Sequence, residues 1–263
     1  MIYSRTSDRD RIVNLFKKTY NCGNPKVNKF FIDKKIAFYS NKNNFVTFFI
    51  EEDNEIIALI EGFDLAEFPI PVVEKKVLYI NTFYVNDNYK QNVELINITS
   101  SLLTQEAEKY SEIMFLSSPV EENLKTFYHQ TGFKPLLNYE NFLVNSKLWL
   151  FKNTHSFFIK RIPINFDQIH EDSEKNTDSV VNLTLYSNFC QYFYAEIYFF
   201  INDLKLKFGN KVSFKVNEII TKENSIFYGT DFCVLLNDTM INPVNLMMLD
   251  FEEYIKKIEH GGA

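Results

Sequence analysis

The stretch Val77-Leu-Tyr-Ile-Asn-Thr-Phe-Tyr-Val85 decides the fold. Its β-branched and aromatic side chains suit a pleated, packed strand, and only Asn81 interrupts them. A polar loop, Asn86-Asp-Asn-Tyr-Lys-Gln-Asn92, comes next. From Asn92 to about Tyr110 the apolar residues Leu95, Ile98, Leu102 and Leu103 recur at helical spacing, with Glu106, Glu108 and Lys109 on the wet face. Ile113 to Leu116 reads as a further strand. Glu121 to Gln130 reads as a helix stopped by Gly132, which suits a left-handed position after a helix.

Upstream, Ile2 and Tyr3 form a short strand, and Ser7 or Asp8 caps a helix carrying Ile12, Leu15 and Phe16. The apolar runs Phe45–Ile50 and Ile56–Phe63 flank the turn Glu52-Asp-Asn-Glu55 and read as a hairpin. Pro69 and Pro71 mark a loop, since neither suits a central strand. The order β–α–β–β–β–α–β–α is complete by about residue 145. Downstream, Trp149–Ile162 is strand material and Ile164–Ser179 a polar linker. Val180–Tyr186 is a strand, and Asn188–Phe208 an aromatic helix closed by Gly209. Val212–Ile220 and Phe232–Leu236 are strands, and Asp250-Phe-Glu-Glu253 is a capping box opening a helix to about Glu259.

With 263 residues, the chain has room for one or two domains. The expected division is 1–146, a connecting strand and linker over 147–179, and a smaller α/β domain over 180–263. Element order alone raises the idea that this last domain is a partial second copy of the first. A hydrophobic share of 46% and a charged share of 24% exclude wholesale disorder. Net charge −6 and a pI near 5.4 argue against nucleic acid, which calls for a basic stripe. The longest uncharged stretch, Val180–Ala195, falls short of the roughly 20 apolar residues a membrane span needs. No leader pattern opens the chain, so the cytoplasm is the expected location. Cys22, Cys190 and Cys233 form no CxxC pair, and His129, His155, His170 and His260 lack a ligand spacing, so no metal is expected. Cys190, just after Asn188, reads as a buried structural cysteine more than a nucleophile. Much of the richness in Phe, Tyr, Asn, Lys and Ile is what AT-rich codons encode. The seven glycines matter more, because none lies between Gly62 and Gly132.

The residues Tyr79–Leu103, with Ser117-Ser-Pro-Val-Glu-Glu-Asn-Leu-Lys-Thr-Phe-Tyr-His-Gln-Thr-Gly-Phe133, resemble the GNAT (Gcn5-related N-acetyltransferase) family over just over half of the chain. The resemblance implies an α+β fold: a GNAT-like mixed sheet flanked by helices, here followed by a second, smaller α/β domain. It implies acetyl-CoA as cofactor, a small-molecule or peptide amine as acceptor, and acetyl transfer by direct attack. Tyr128 would protonate the departing thiolate; its alternative is packing on the sheet. Glu61 would be the general base, with Asp64 the next nearest acid. Asn81 and the main chain of Phe83, Tyr84 and Val85 would bond the pantetheine arm like an added strand. The pyrophosphate loop would be Lys90, Gln91, Asn92, Val93, Glu94 and Leu95.

This loop departs from the family pattern. Val93 and Leu95 stand where glycines let main-chain N–H groups reach a phosphate at a helix N-terminus, and Glu94 adds a negative charge. The loop is degenerate, and the alternative reading is a non-catalytic GNAT-fold binding or regulatory protein. The aromatic helix 188–208 offers a face for the first domain, a second copy in a homodimer, or a protein partner.

Overall fold

The computed structural model describes residues 1–19, 24–40, 45–72, 76–117, 124–141, 146–151, 162–172, 178–189 and 191–260. Cys22, His155, Cys190, residues 118–123 of the quoted motif, 152–161 of the expected strand and 173–177 of the expected linker lie outside them. The chain forms two compact units, residues 1–68 with 72–161, and residues 69–71 with 162–263.

The first unit runs β1 (Ile2–Thr6), α1 (Arg9–Thr19), α2 (Pro25–Ser40), β2 (Phe45–Glu52), β3 (Glu55–Asp64), β4 (Val77–Val85), α3 (Val93–Glu106), β5 (Glu112–Ser117), α4 (Lys125–Thr131), β6 (Phe133–Asn141) and β7 (Ser146–Phe151). The strands form one sheet, ordered β1-β2-β3-β4-β5-β7-β6, in which only β4 and β5 pair in parallel. A mixed sheet flanked by helices is what the resemblance implies, and the structure has it. Local chemistry sets its joints. Asp8 accepts from the Arg11 N–H at 2.9 Å at the head of α1. Asp53 and Asn54, both at positive φ, make the tight turn of the β2–β3 hairpin. Gly132 closes α4 at φ 108°, and its N–H bonds back to the His129 carbonyl. Strands β3 and β4 are buried on both faces. On one face Ile60, Ile80, Phe83 and Phe115 meet Leu95, Leu102, Leu103 and Phe127 of α3 and α4.

The sequence leaves α2 without a clear signal: Val27, Phe31, Ile32, Phe38 and Tyr39 are buried on one side, but Ile36 and Ala37 lie exposed on the other and blur the stripe. The strand expected from Trp149 begins at Ser146 as β7 and pairs with β5, so the first unit runs past residue 146.

The second unit contains α5 (Phe166–Glu171), β8 (Val181–Ser187), α6 (Tyr192–Phe208), β9 (Val212–Glu218), α7 (Lys222–Tyr228), β10 (Phe232–Leu236), β11 (Thr239–Ile241), α8 (Pro243–Met248) and α9 (Phe251–Glu259). Helix α5 occupies part of the expected linker, capped by the Asn165 side chain. Helix α6 starts at Tyr192, not at Asn188, because the Asn188 N–H is tied to the Asp231 carbonyl at 3.1 Å. Asp250 caps α9 by accepting from Glu252 and Glu253. The sheet order is β11-β10-β8-β9, with β8 and β9 parallel and the other pairs antiparallel. Strands β2-β3-β4-β5 alternate in the same sense, so the idea of a second copy finds a matching pattern of strand directions. The connectivity differs, since the β10–β11 hairpin follows the parallel pair where β2–β3 precedes it.

Two positions make stability testable. Gly229 has φ +66°, and a Cβ there would lie 1.9 Å from the Pro163 carbonyl oxygen, beside the bond from the Asn165 N–H to the Tyr228 carbonyl. Gly229→Ala should cost about 3 kcal/mol or more in chemical denaturation; a loss under about 1 kcal/mol would show that this segment yields easily. Glu112 is held up to about 7, mainly by burial, although the Ile113 N–H bonds its carboxylate at 3.1 Å. A carboxyl raised on folding stabilises the protein fully below its unfolded value and loses that contribution as pH rises through about 7. Between pH 5 and 8 the wild type should therefore lose about 2 kcal/mol relative to Glu112→Gln; parallel stability curves would refute this.

Candidate functional site

Glu61 sits on β3 with no exposed surface and accepts four hydrogen bonds. Lys35 Nζ of α2 donates to Oε2 at 2.6 Å, Thr82 Oγ1 at 2.7 Å and Asn81 Nδ2 at 2.8 Å, and the Tyr39 hydroxyl donates to Oε1. Lys35 is itself buried, with its ammonium 4.7 Å from the centre of the Phe16 ring. The register explains how β4 supplies two donors. Glu61 pairs with Thr82 but Gly62 with Ile80, so Asn81 is an extra residue on β4 and forms a β-bulge. Asn81 and Thr82 thus both reach one carboxylate. The polar row extends across the sheet, since Thr6 pairs with Thr47, Thr47 with Glu61 and Glu61 with Thr82.

Beyond the bulge β4 parts from β5. Their parallel ladder ends at Ile80 opposite Phe115, while β4 runs on to Val85. The Asn86 N–H bonds to the Ile57 carbonyl at 2.8 Å, which makes Val85 and Ala58 a non-hydrogen-bonded pair. By alternation Tyr84 bonds toward β3, whereas the N–H and C=O of Phe83 and Val85 point away from β3, to the side that β5 has left. Among the described residues no strand pairs with β4 there. Under the parting lies Tyr128 of α4, fully buried, its ring 5.2 Å from Phe83 on β4 and 4.6 Å from Phe115 on β5, with Trp149 at 5.4 Å. Phe83 belongs to the cluster of α3 and α4, and Glu61 is held from α2, so Tyr128 and Glu61 lie on opposite faces of the sheet.

The β4–α3 loop is closed on itself. The Asn86 side chain accepts from the Asn88 N–H at 3.1 Å, and the Asn92 side chain accepts from the Leu95 N–H at 3.0 Å as the cap of α3. The N–H groups of Tyr89 and Asn92 bond to Asn86 and Tyr89 carbonyls, each at 2.9 Å. The Lys90 ammonium pairs with Asp87. Val93 is 69% exposed at the helix start, Leu95 is wholly buried, and the Glu94 carboxylate is solvent-facing, 3.9 Å from the Met1 ammonium. Gln91 is exposed. The turn between β2 and β3 lies close by: the Tyr89 phenol is raised first by its hydrogen bond to Glu52, then by burial and by the charges of Glu52, Asp53 and Glu55.

The remaining candidates are elsewhere. Asp64 caps a turn by accepting from the Ala66 N–H at 2.9 Å. Cys233 is buried in β10, where burial raises its thiol. His129 packs its ring 5.0 Å from Trp149, His170 lies in α5, and His260 follows α9. Among the described residues no group of three His, Cys, Asp or Glu is placed to hold a metal, and no helix is long and apolar enough to cross a membrane. Sequence reading missed Lys35 and Tyr39. Their spacing of four puts both on one face of α2, but nothing local tied that face to Glu61.

Removing Lys35 alone would strand a buried carboxylate. Lys35→Met should cost about 3–5 kcal/mol, and adding Glu61→Gln should restore a good part of it. Additive losses in denaturant titrations would show that the two side chains are not coupled.

No family model matches this chain, and no curated protein matches it. Solved structures do. One is the PaiA N-acetyltransferase from Thermoplasma acidophilum in complex with coenzyme A, at 10% identity and TM-score 0.36 over 58% of this chain and 100% of that one. Another is the IAA acetyltransferase from Bacillus cereus, at 10% identity and TM-score 0.37 over 57% and 97%. A third is a predicted acetyltransferase with acetyl-CoA from Clostridium acetobutylicum, at 18% identity and TM-score 0.39 over 52% and 92%.

Proposed function

We propose that the first unit takes the acyl-thioester arm of a GNAT donor between β4 and β5 and serves acyl transfer to an amine. The observation that carries this reading is the parting itself: β4 extends from Asn81 to Val85 past its last partner on β5, with Phe83 and Val85 turning main-chain groups into the opening. An extended chain with amide groups bonds such an edge as a further strand would. A thioester supplies an acyl carbon activated for attack. The Phe83 and Val85 N–H groups hold the arm and orient that carbon, and the wall of Phe83, Phe115 and Trp149 excludes water. The Tyr128 hydroxyl gives its proton to the departing sulfur. Glu61 serves as a positioning residue: its oxygens are filled by four donors, so it fixes the bulge and leaves the amine proton to solvent.

A second reading, a non-catalytic binding or regulatory unit, is favoured by the loop. Asn92 has taken a donor that a diphosphate would need, Val93 puts a branched side chain at the exposed helix start where glycine would leave the main chain bare, and Glu94 opposes the charge. The arm fits this chain and the diphosphate does not.

The experiment is a thermal melt of the full chain with acetyl thioesters. At a hundred times the dissociation constant, binding adds about 2.7 kcal/mol of stability. Val85→Pro, which deletes an N–H facing the opening, should abolish the shift; an undiminished shift would remove β4 from the binding site. Tyr128→Phe should lower turnover more than binding, and unchanged turnover would take Tyr128 out of the reaction.

A further inference from the structure

The arm and the diphosphate of a coenzyme A donor would meet very different surroundings here. The arm would meet ladder positions at Phe83 and Val85 that no strand among the described residues pairs. The diphosphate would meet the β4–α3 loop, which carries Asp87 and leads into Glu94, and beside which the pairing of β3 with β4 sets the acidic β2–β3 turn, Glu52, Asp53 and Glu55, whose charges act on Tyr89. The cations there are already engaged, Lys90 with Asp87 and the Met1 ammonium beside Glu94. A helix N-terminus favours anions through its first-turn N–H groups, but that of α3 is capped by Asn92 and carries an acid in its first turn. Exposed like charges repel over roughly a Debye length, about 8 Å at physiological salt, and added salt weakens that repulsion.

The geometry points to a donor gripped by its pantetheine arm alone: an acyl group thioesterified to a pantetheine-type chain, recognised without any contact to a nucleotide diphosphate. The inference rests on the reading that the β4–β5 opening takes an acyl thioester. The two amides of a pantetheine chain match the alternating main-chain groups of Phe83 and Val85, and its uncharged body passes the acidic loop at no electrostatic cost. In the transfer itself the acceptor nitrogen bonds to the acyl carbon as the carbon–sulfur bond breaks. One proton leaves the nitrogen and one reaches the sulfur, with no change of oxidation state.

Calorimetric titration of the full chain with S-acetylpantetheine and with acetyl-CoA, at about 50 and about 300 mM salt, tests this. S-acetylpantetheine should bind at least as tightly as acetyl-CoA at low salt. Added salt should tighten acetyl-CoA and leave S-acetylpantetheine unchanged. Glu94→Gln should tighten acetyl-CoA about twofold or more without affecting S-acetylpantetheine. Acetyl-CoA bound about tenfold tighter than S-acetylpantetheine, and weakened by salt, would overturn the inference while leaving the opening as a thioester site. Failure of both ligands to bind would instead overturn the reading beneath it. An acetylated pantetheine arm presented on a carrier protein, added to the same series, separates the two sources of this chemistry: tighter binding than the free thioester assigns the arm to a carrier, and equal or weaker binding assigns it to a free donor.

Discussion

A carboxylate removed from water at the middle of a sheet must be met by donors, and Glu61 is met by groups from two other elements, α2 and β4. Satisfying it requires that β4 present two adjacent residues to one partner, which a regular strand does not do. The bulge at Asn81 is the solution, and it falls at the residue after the last pairing of β4 with β5. The opening in the sheet thus begins at the residue that the polar contact on its other face engages. Buried ion pairs contribute little net stability compared with apolar packing, so this network is better understood as fixing one backbone path among several.

The strands and the helices around this opening were legible because their patterns are local. Val77–Val85 is strand-like in every residue but Asn81, α3 shows its stripe, and Gly132 marks the end of α4. The same locality hid the rest. Helix α2 mixes apolar residues on its exposed side, such as Ile36, with those it buries, so no stripe distinguishes it, and Lys35 and Tyr39, two of the four partners of Glu61, were invisible without it. Asn81 looked like an interruption in a strand and is the residue that creates the bulge. Leu95 was placed in a ligand loop by motif alignment, yet its side chain lies wholly in the core. The absence of glycine from the loop was readable, but the acids beside it were only half so. Asp87 and Glu94 are neighbours in the chain, whereas Glu52, Asp53 and Glu55 arrive from the β2–β3 turn through pairing of β3 with β4.

The two sheets show how much a single extra residue matters. Strands β8 and β9 are parallel and joined through a helix, as β4 and β5 are, yet they stay paired from Val181 opposite Val212 to Ser187 opposite Glu218. No register shift interrupts β8, and no opening forms. The same directions of strands thus give a closed ladder in one unit and a split one in the other. Strand β4 carries an extra residue, Asn81, beside the buried Glu61, and β8 carries none.

The short segment Pro69–Pro71 has a consequence for how this chain could have been assembled. It lies between β3 and β4 in sequence but belongs to the second unit, where the Pro69 and Ile70 carbonyls accept from Asn188 Nδ2 and Lys222 Nζ, and the Pro71 carbonyl from the Ile162 N–H. Cutting the gene once, after residue 161, would leave those three donors without their acceptors. Recombination that swaps whole domains at a single junction cannot deliver this second unit intact. The second unit is thus discontinuous in the chain, completed by three residues from the segment between β3 and β4.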